Sequence, residues 1–253
     1  MPALRTLVCA ALATGAAGLV QAQATVKPDG QWRAVFGLGL SNSSGNTDST
    51  NLSMTGDAVR ATDLDKWAIY LNSNYARSAS VTNTEQIRLG GRYERNFNTT
   101  YFGYGGLDLE KNRFANLEPR SMLSAGVGWH VIKSPPTTFN IFGGLGYTAD
   151  KYRDPMVIGG ELRDSYNYAS LPLGEESTHK LTATTSARQR LVVVANLKDT
   201  GEYRATWDAG LAVAMARGVN LTLSLAALYN SEPGLGRKST DTLLTTGIAV
   251  KFD

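Results

Sequence analysis

The sequence predicts an all-β protein: a closed antiparallel up-and-down transmembrane β-barrel of about twelve strands, with short periplasmic turns and longer extracellular loops. Three observations predict it. After residue 30, nearly every segment alternates apolar residues with small or polar ones, between turn-rich breaks. Aromatic residues on the apolar faces gather near both ends of those segments. Outside the N-terminus, no apolar run is long enough for a transmembrane helix.

The last segments show the alternation best. Val219, Leu221, Leu223, Leu225, Ala227 and Tyr229 interleave with Asn220, Thr222, Ser224, Ala226, Leu228 and Asn230. After a break from Ser231 to Gly236, Leu244, Thr246, Ile248, Val250 and Phe252 resume the apolar face. Successive strand side chains point to opposite sides, so each segment has one oily and one wet face.

Taken in order, strand one carries Trp32, Ala34, Phe36, Leu38 and Leu40 on its apolar face. Strand two, about Thr47 to Arg60, is the weakest pattern. Strand three shows Trp67, Ile69, Leu71 and Tyr75; strand four shows Ile87, Leu89, Gly91 and Tyr93. Strand five shows Tyr101, Leu107 and Leu109, and strand six Leu123, Val127 and Trp129, stopped by Pro135 and Pro136. Strand seven shows Phe139, Ile141, Leu145 and Tyr147, and a long loop is expected from Arg153 to Asp164. Strand eight, Ser165 to Thr178, is interrupted by Pro172. Strands nine and ten carry Leu191 and Val193, then Tyr203, Trp207, Leu211 and Val213.

Connections fall into two alternating sets. Thr62–Asp65, Asn98–Thr100, Lys133–Pro136, Leu181–Thr184 and Arg217–Asn220 are short. The other set holds the two longest, Arg153–Asp164 and Ser231–Thr240. Trp32, Trp67, Phe97, Tyr101, Trp129 and Phe139 form an aromatic girdle near the short turns, where amphipathic rings favour a membrane interface.

Residues 1–24 read as a signal peptide: Arg5, then an apolar stretch from Leu7 to Val20, then Ala22-Gln23-Ala24. A short tail, residues 25–30, precedes a barrel over residues 31–253. Cys9, the one cysteine, lies in the leader, so no disulfide supports the exported chain. Cleavage leaves 24 basic against 22 acidic residues, too even a balance for nucleic-acid binding.

Four stretches carry a family resemblance: Gly39 to Thr47, Arg88 to Tyr93, Asp108 to Leu117, and Asp241 to Gly247. They resemble a family of uncharacterised outer-membrane β-barrel proteins described as salt-induced, a domain of unknown function. The resemblance implies the outer membrane of Gram-negative bacteria and a link to salt or osmotic stress. It implies no catalytic residue and no cofactor. Thr245, Gly247, Val250 and Phe252 resemble the C-terminal signal of the barrel-assembly machinery, except that Asp253 follows Phe252. The expected partners are outer-membrane lipid, that machinery with periplasmic chaperones, and a small solute or ion.

If the apolar faces meet lipid, the lumen receives Arg88, Arg92, Glu94, Asp108, Glu110, Arg120, Arg188, Arg190, Arg204 and Asp208. A three-residue turn at Asn98–Thr100 places Arg88 opposite Glu110, predicting a cross-strand ion pair. Two readings stay open: a narrow water path in which arginine favours anions or zwitterions, and a plug of crossed charge pairs. An enzyme is not expected. The alternative of a membrane-embedded lipid hydrolase would need His130 or His179, and neither is read as having a serine at tight spacing. A soluble exported β-protein is the remaining alternative; its apolar faces would meet inside a core.

Overall fold

The computed structural model describes residues 24, 26–43, 49–78, 81–113, 116–158, 161–233 and 239–252. Residues 1–23 of the expected signal peptide, the first hairpin turn and Asp253 lie outside them. Twelve strands follow one another: β1 Trp32–Ser43, β2 Ser49–Ala61, β3 Asp65–Ser78, β4 Val81–Asn96, β5 Tyr101–Asn112 and β6 Leu117–Lys133. Then come β7 Thr137–Ile158, β8 Glu161–Lys180, β9 Thr185–Asn196, β10 Tyr203–Ala216, β11 Val219–Asn230 and β12 Thr240–Phe252. Each pairs antiparallel with its neighbours in sequence, and β1 pairs with β12, so the barrel is closed. Closure leaves no edge strand and satisfies the backbone within the wall, which hydrocarbon requires.

The two faces separate as alternation dictates. Outside, Leu123, Val127, Leu145, Leu173, Leu244 and Ile248 are each more than half exposed. Inside, Asn72, Thr55, Thr148, Ser170 and Thr222 are almost wholly buried. A soluble protein has the reverse arrangement. A continuous apolar belt of this size marks a surface covered by lipid. Trp32, Trp67, Phe97, Tyr101 and Trp129 stand exposed on that outer wall, with Phe139 half-buried among them. Trp67 packs on Tyr93 at 4.7 Å between ring centroids, and at the opposite rim Tyr203 stacks on Tyr229 at 5.4 Å.

Two expectations need correction. No long loop spans Arg153 to Asp164: β7 and β8 run on as a ladder to Ile158 and Glu161. The pattern is unreadable there because the register breaks. Lys151 pairs with Ser165, but Met156 pairs with Arg163, so β7 carries extra residues, including Pro155, that pair with nothing opposite. Strand eight is likewise a full strand despite Pro172. Pro172 stays in register with Val194 of β9, while pairing with β7 skips from Gly143–Leu173 to Gly146–Ser170. A proline lacks one donor, so it interrupts one ladder and leaves the other intact.

The lipid-facing assignment is testable at Leu145, mid-strand and 66% exposed. Leu145→Arg should lower unfolding stability in lipid vesicles by roughly 2–4 kcal/mol, as for arginine near a bilayer midplane. An unchanged urea midpoint would show that this face does not meet lipid.

Candidate functional site: a lumen divided at a charged waist

Two cavities stand out in the interior formed by the described residues. One, of about 400 Å³, opens at the end with the short turns and includes Lys66, Arg92, Glu94, Arg188 and Asp208 in its wall. The other, of about 420 Å³, opens at the long-hairpin end and includes Glu110, Arg120 and Arg204. Tyr70, Arg88, Asp108, Met122, Arg190 and Val192 line both. These six residues form a waist. The ten charged residues named from the sequence as lumen-lining thus each line one cavity or both.

At the turn end, Glu176 is the hub. Its carboxylate faces Lys66 at 3.5 Å, Arg92 at 3.9 Å and Arg190 at 4.0 Å, and accepts from Asn140 Nδ2 at 3.1 Å. Glu94 takes Lys66 at 3.0 Å and Arg92 at 3.2 Å. The Arg92 guanidinium also lies over the rings of Tyr104, at 4.3 Å, and Phe142, at 4.1 Å, as cation–π contact favours. Glycines make room for such rings. A Cβ on Gly128 would stand 2.1 Å from Phe102, on Gly90 2.3 Å from Tyr70, and on Gly174 2.5 Å from Phe142. Each of these glycines is the direct cross-strand partner of its ring.

The chain before β1 enters the same mouth. Ala24 packs on Val35, Val59 and Ala249, and Val26 and Pro28 line the cavity. Asp29 fastens this stretch through two hydrogen bonds from Arg33, at 2.8 and 2.5 Å. Those bonds hold the Asp29 carboxyl well below the usual carboxylate range.

At the waist, Arg88 Nη1 reaches across the lumen to Asp208 at 3.7 Å, and Tyr70 donates to Asp108 at 2.5 Å. The predicted Arg88–Glu110 ion pair does not form, although the register is the predicted one. Glu110 instead accepts from Gln86 at 3.1 Å and Asn112 at 3.3 Å. In a narrow closed barrel, inward side chains converge on the axis. A residue on the far wall then competes with the cross-strand neighbour, and Asp208 of β10 wins Arg88.

At the hairpin end, Arg120 forms a bidentate pair with Asp150, 2.6 Å for each bond, and Arg204 approaches the same carboxylate at 3.6 Å. The β7–β8 tip leans over this cavity, with Met156, Val157 and Ile158 in its lining. Asn116 holds it there. Its amide donates to the Asp154 carbonyl at 2.6 Å and accepts from the Asp154 N–H at 3.0 Å, while its own carbonyl accepts from the Arg153 N–H. Asn116 adopts φ +61°, a conformation asparagine tolerates better than most residues.

Lys66, Glu176, Asp150 and Tyr70 were missed in the sequence. Tyr70 and Asp150 occupy even positions whose lumen orientation alternation already gives. Glu176 lies in the strand that Pro172 obscured. One of the two histidine readings also needs correction, that of His179. His130 Nδ1 and Nε2 face the side-chain oxygens of Asn140 at 2.8 Å and Asn96 at 3.0 Å. His179 Nε2 does have a serine at hand, Ser177 Oγ at 3.2 Å, from the Ser-x-His spacing in β8. Its other ring nitrogen faces the hydroxyl of Thr137 at 3.4 Å, not a carboxylate, and Ser177 is 4% exposed. That is a hydrogen-bonded Ser–His pair whose ring faces a threonine where a triad would place a carboxylate. Thr245, Gly247, Val250 and Phe252 lie on β12, with Phe252 against Ala34 and Val250 against Phe36 at the closing seam.

Residues 36–252 match the family model described as protein of unknown function, DUF481. The chain belongs to that family. No curated protein matches this DUF481 chain. Among solved structures, it is similar to the translocator domain of the autotransporter NalP from Neisseria meningitidis. The identity is 15%, over 89% of this chain and 90% of that one, with TM-score 0.47. It is also similar to the KdgM porin, at 9% identity over 88% and 100% of the two chains, TM-score 0.42. An anion-selective porin from Comamonas acidovorans matches at 10% identity over 88% and 99%, TM-score 0.38. At this level of similarity nothing about function passes from them to this protein.

Glu176→Gln tests the turn-end cluster. It leaves Lys66, Arg92 and Arg190 facing one another with Glu94 as their remaining carboxylate. Stability in denaturant should fall by about 3 kcal/mol, the lower end of the cost of breaking a buried pair. A loss under about 0.5 kcal/mol, the scale of an exposed pair, would mean that water in the lumen screens the cluster.

Proposed function

We propose that this DUF481 protein is an outer-membrane barrel serving as a narrow channel for small solutes. The short turns and the residue 26–30 stretch would face the periplasm, and the β7–β8 hairpin the exterior. The observation that carries the reading is the pair of cavities, one from each mouth, meeting at six shared residues. A structural barrel with no transport duty has no need of such space on both sides of a charged waist. Export through a cleavable leader and insertion by the assembly machinery belong to this reading, supported by residues 1–24 and by the β12 pattern. A role in salt or osmotic stress rests on the family resemblance alone.

A second reading has its own support. Arg88–Asp208 and Arg92–Glu176 join strands far apart around the wall, as a plug that holds the barrel round would do.

Planar-bilayer recording separates the two. The channel reading expects small, stable wild-type conductance. It also expects a several-fold rise in the Arg88→Ser/Asp208→Ser double variant, which opens the waist without leaving an unpaired charge. Silence from both proteins, each stably inserted, would establish the plug and remove the channel.

A further inference from the structure

The wall of the hairpin-end cavity carries both signs of charge. Four guanidinium groups line it, from Arg88, Arg120, Arg190 and Arg204, together with four carboxylates, from Asp108, Glu110, Glu202 and Glu232. Each of the four arginines has a carboxylate partner outside this lining. Arg120 and Arg204 take Asp150, Arg88 takes Asp208, and Arg190 takes Glu176.

The acids of β5 make no close ion pair, although Glu110 stands directly between Arg88 of β4 and Arg120 of β6 in the ladder. Among the described residues, Asp108 and Glu110 are the carboxylates of the strand-borne lumen wall that no lysine or arginine approaches within 4.0 Å. Neutral donors hold them instead, Tyr70 on Asp108 and Gln86 with Asn112 on Glu110. Both point into the cavity, two residues apart on one face. On the guanidinium side, Arg190 meets its acid only at 4.0 Å. Carboxylates held by neutral donors thus stand beside guanidinium groups around one space of about 420 Å³.

A lining with equal numbers of both signs gives no advantage to a simple ion. A chloride that nears the arginines also meets Asp108 and Glu110, and a potassium ion meets the reverse. A dipolar solute gains at both ends. Ammonium donates to carboxylates, and a carboxylate accepts from guanidinium in charge-assisted hydrogen bonds. The uncharged lining includes an aliphatic part, with Met156, Val157 and Ile158 in the β7–β8 hairpin and Val192 and Val194 in the wall, beside Tyr70, Tyr152 and Tyr229. That lining suits an apolar side chain, and the volume falls within the range of small-molecule pockets.

We propose that this cavity binds small zwitterions bearing both an ammonium and a carboxylate, aliphatic α-amino acids being the best-fitting class. The ammonium seats on Asp108 and Glu110, the carboxylate on Arg88 and Arg190, and the side chain under the hairpin. The inference rests on the reading above in one respect: solute enters the lumen from the hairpin end.

The test is binding to the full-length barrel in lipid nanodiscs, read by saturation-transfer NMR with L-leucine as probe. Two analogues each delete one charge: 4-methylpentanoate lacks the ammonium, and 3-methylbutan-1-amine lacks the carboxylate. L-Leucine should bind at least tenfold more tightly than either. Asp108→Asn should weaken leucine about tenfold while leaving 4-methylpentanoate unchanged. Glu110→Gln, which keeps an oxygen for Gln86 and Asn112, serves if the first variant does not fold, with the same expected split. Equal binding of leucine and 4-methylpentanoate, or full leucine affinity in Glu110→Gln, overturns the proposal. Because no flux is needed for the readout, a barrel that binds leucine yet carries no current sustains the site and sinks the channel. One that conducts without binding leucine does the opposite.

Discussion

The structure depends on a partition enforced by strand geometry. Side chains alternate across a wall whose backbone hydrogen bonds are closed on themselves, so each residue faces either oil or the lumen. The β1–β12 seam makes the partition complete. It pairs Phe36 with Val250 and Leu38 with Ile248 on the outside, and sets Val35 and Ala249 within. An open sheet with the same alternation would expose a row of unpaired donors to hydrocarbon.

Confining many charges to a narrow interior then determines what the lumen becomes. Inward side chains from opposite walls come within reach of one another, so pairing is decided across the axis as much as along the ladder. Glu176 gathers cations from β3, β4 and β9, and Asp150 gathers Arg120 and Arg204 from β6 and β10. Glycines permit the crowding. Tyr70, Phe102 and Phe142 each rest on a glycine of the neighbouring strand, which brings their rings flat against the wall and leaves space at the centre.

The two ends of the barrel differ for physical reasons as well. At the turn end, tight connections and the residues before β1 narrow the mouth, with Asp29 tied to Arg33. At the other end, extra residues in β7 bend the longest hairpin over the opening, and the two-way amide contact of Asn116 with Asp154 keeps it bent. One mouth is thus narrowed by the chain before β1, and the other is bordered by the bulged hairpin. The charged waist lies between them.

Period-two patterning let the sequence alone determine the class of fold, the number of strands, the outward girdle from Trp32 to Phe139, and the inward direction of residues such as Arg88 and Asp208. Each of these follows from which side of a strand a residue occupies, a local property. Register was legible too where a turn was short, as at Asn98–Thr100, which set Arg88 opposite Glu110. The partner that Arg88 takes was decided by the tertiary structure, because Asp208 lies 120 positions away and is brought near only by barrel closure. The same holds for the Glu176 hub, the hairpin roof and the split of the lumen into two cavities. Those depend on barrel radius, bulges and which walls face each other, and a pattern of alternate residues carries no information about distances across a closed wall.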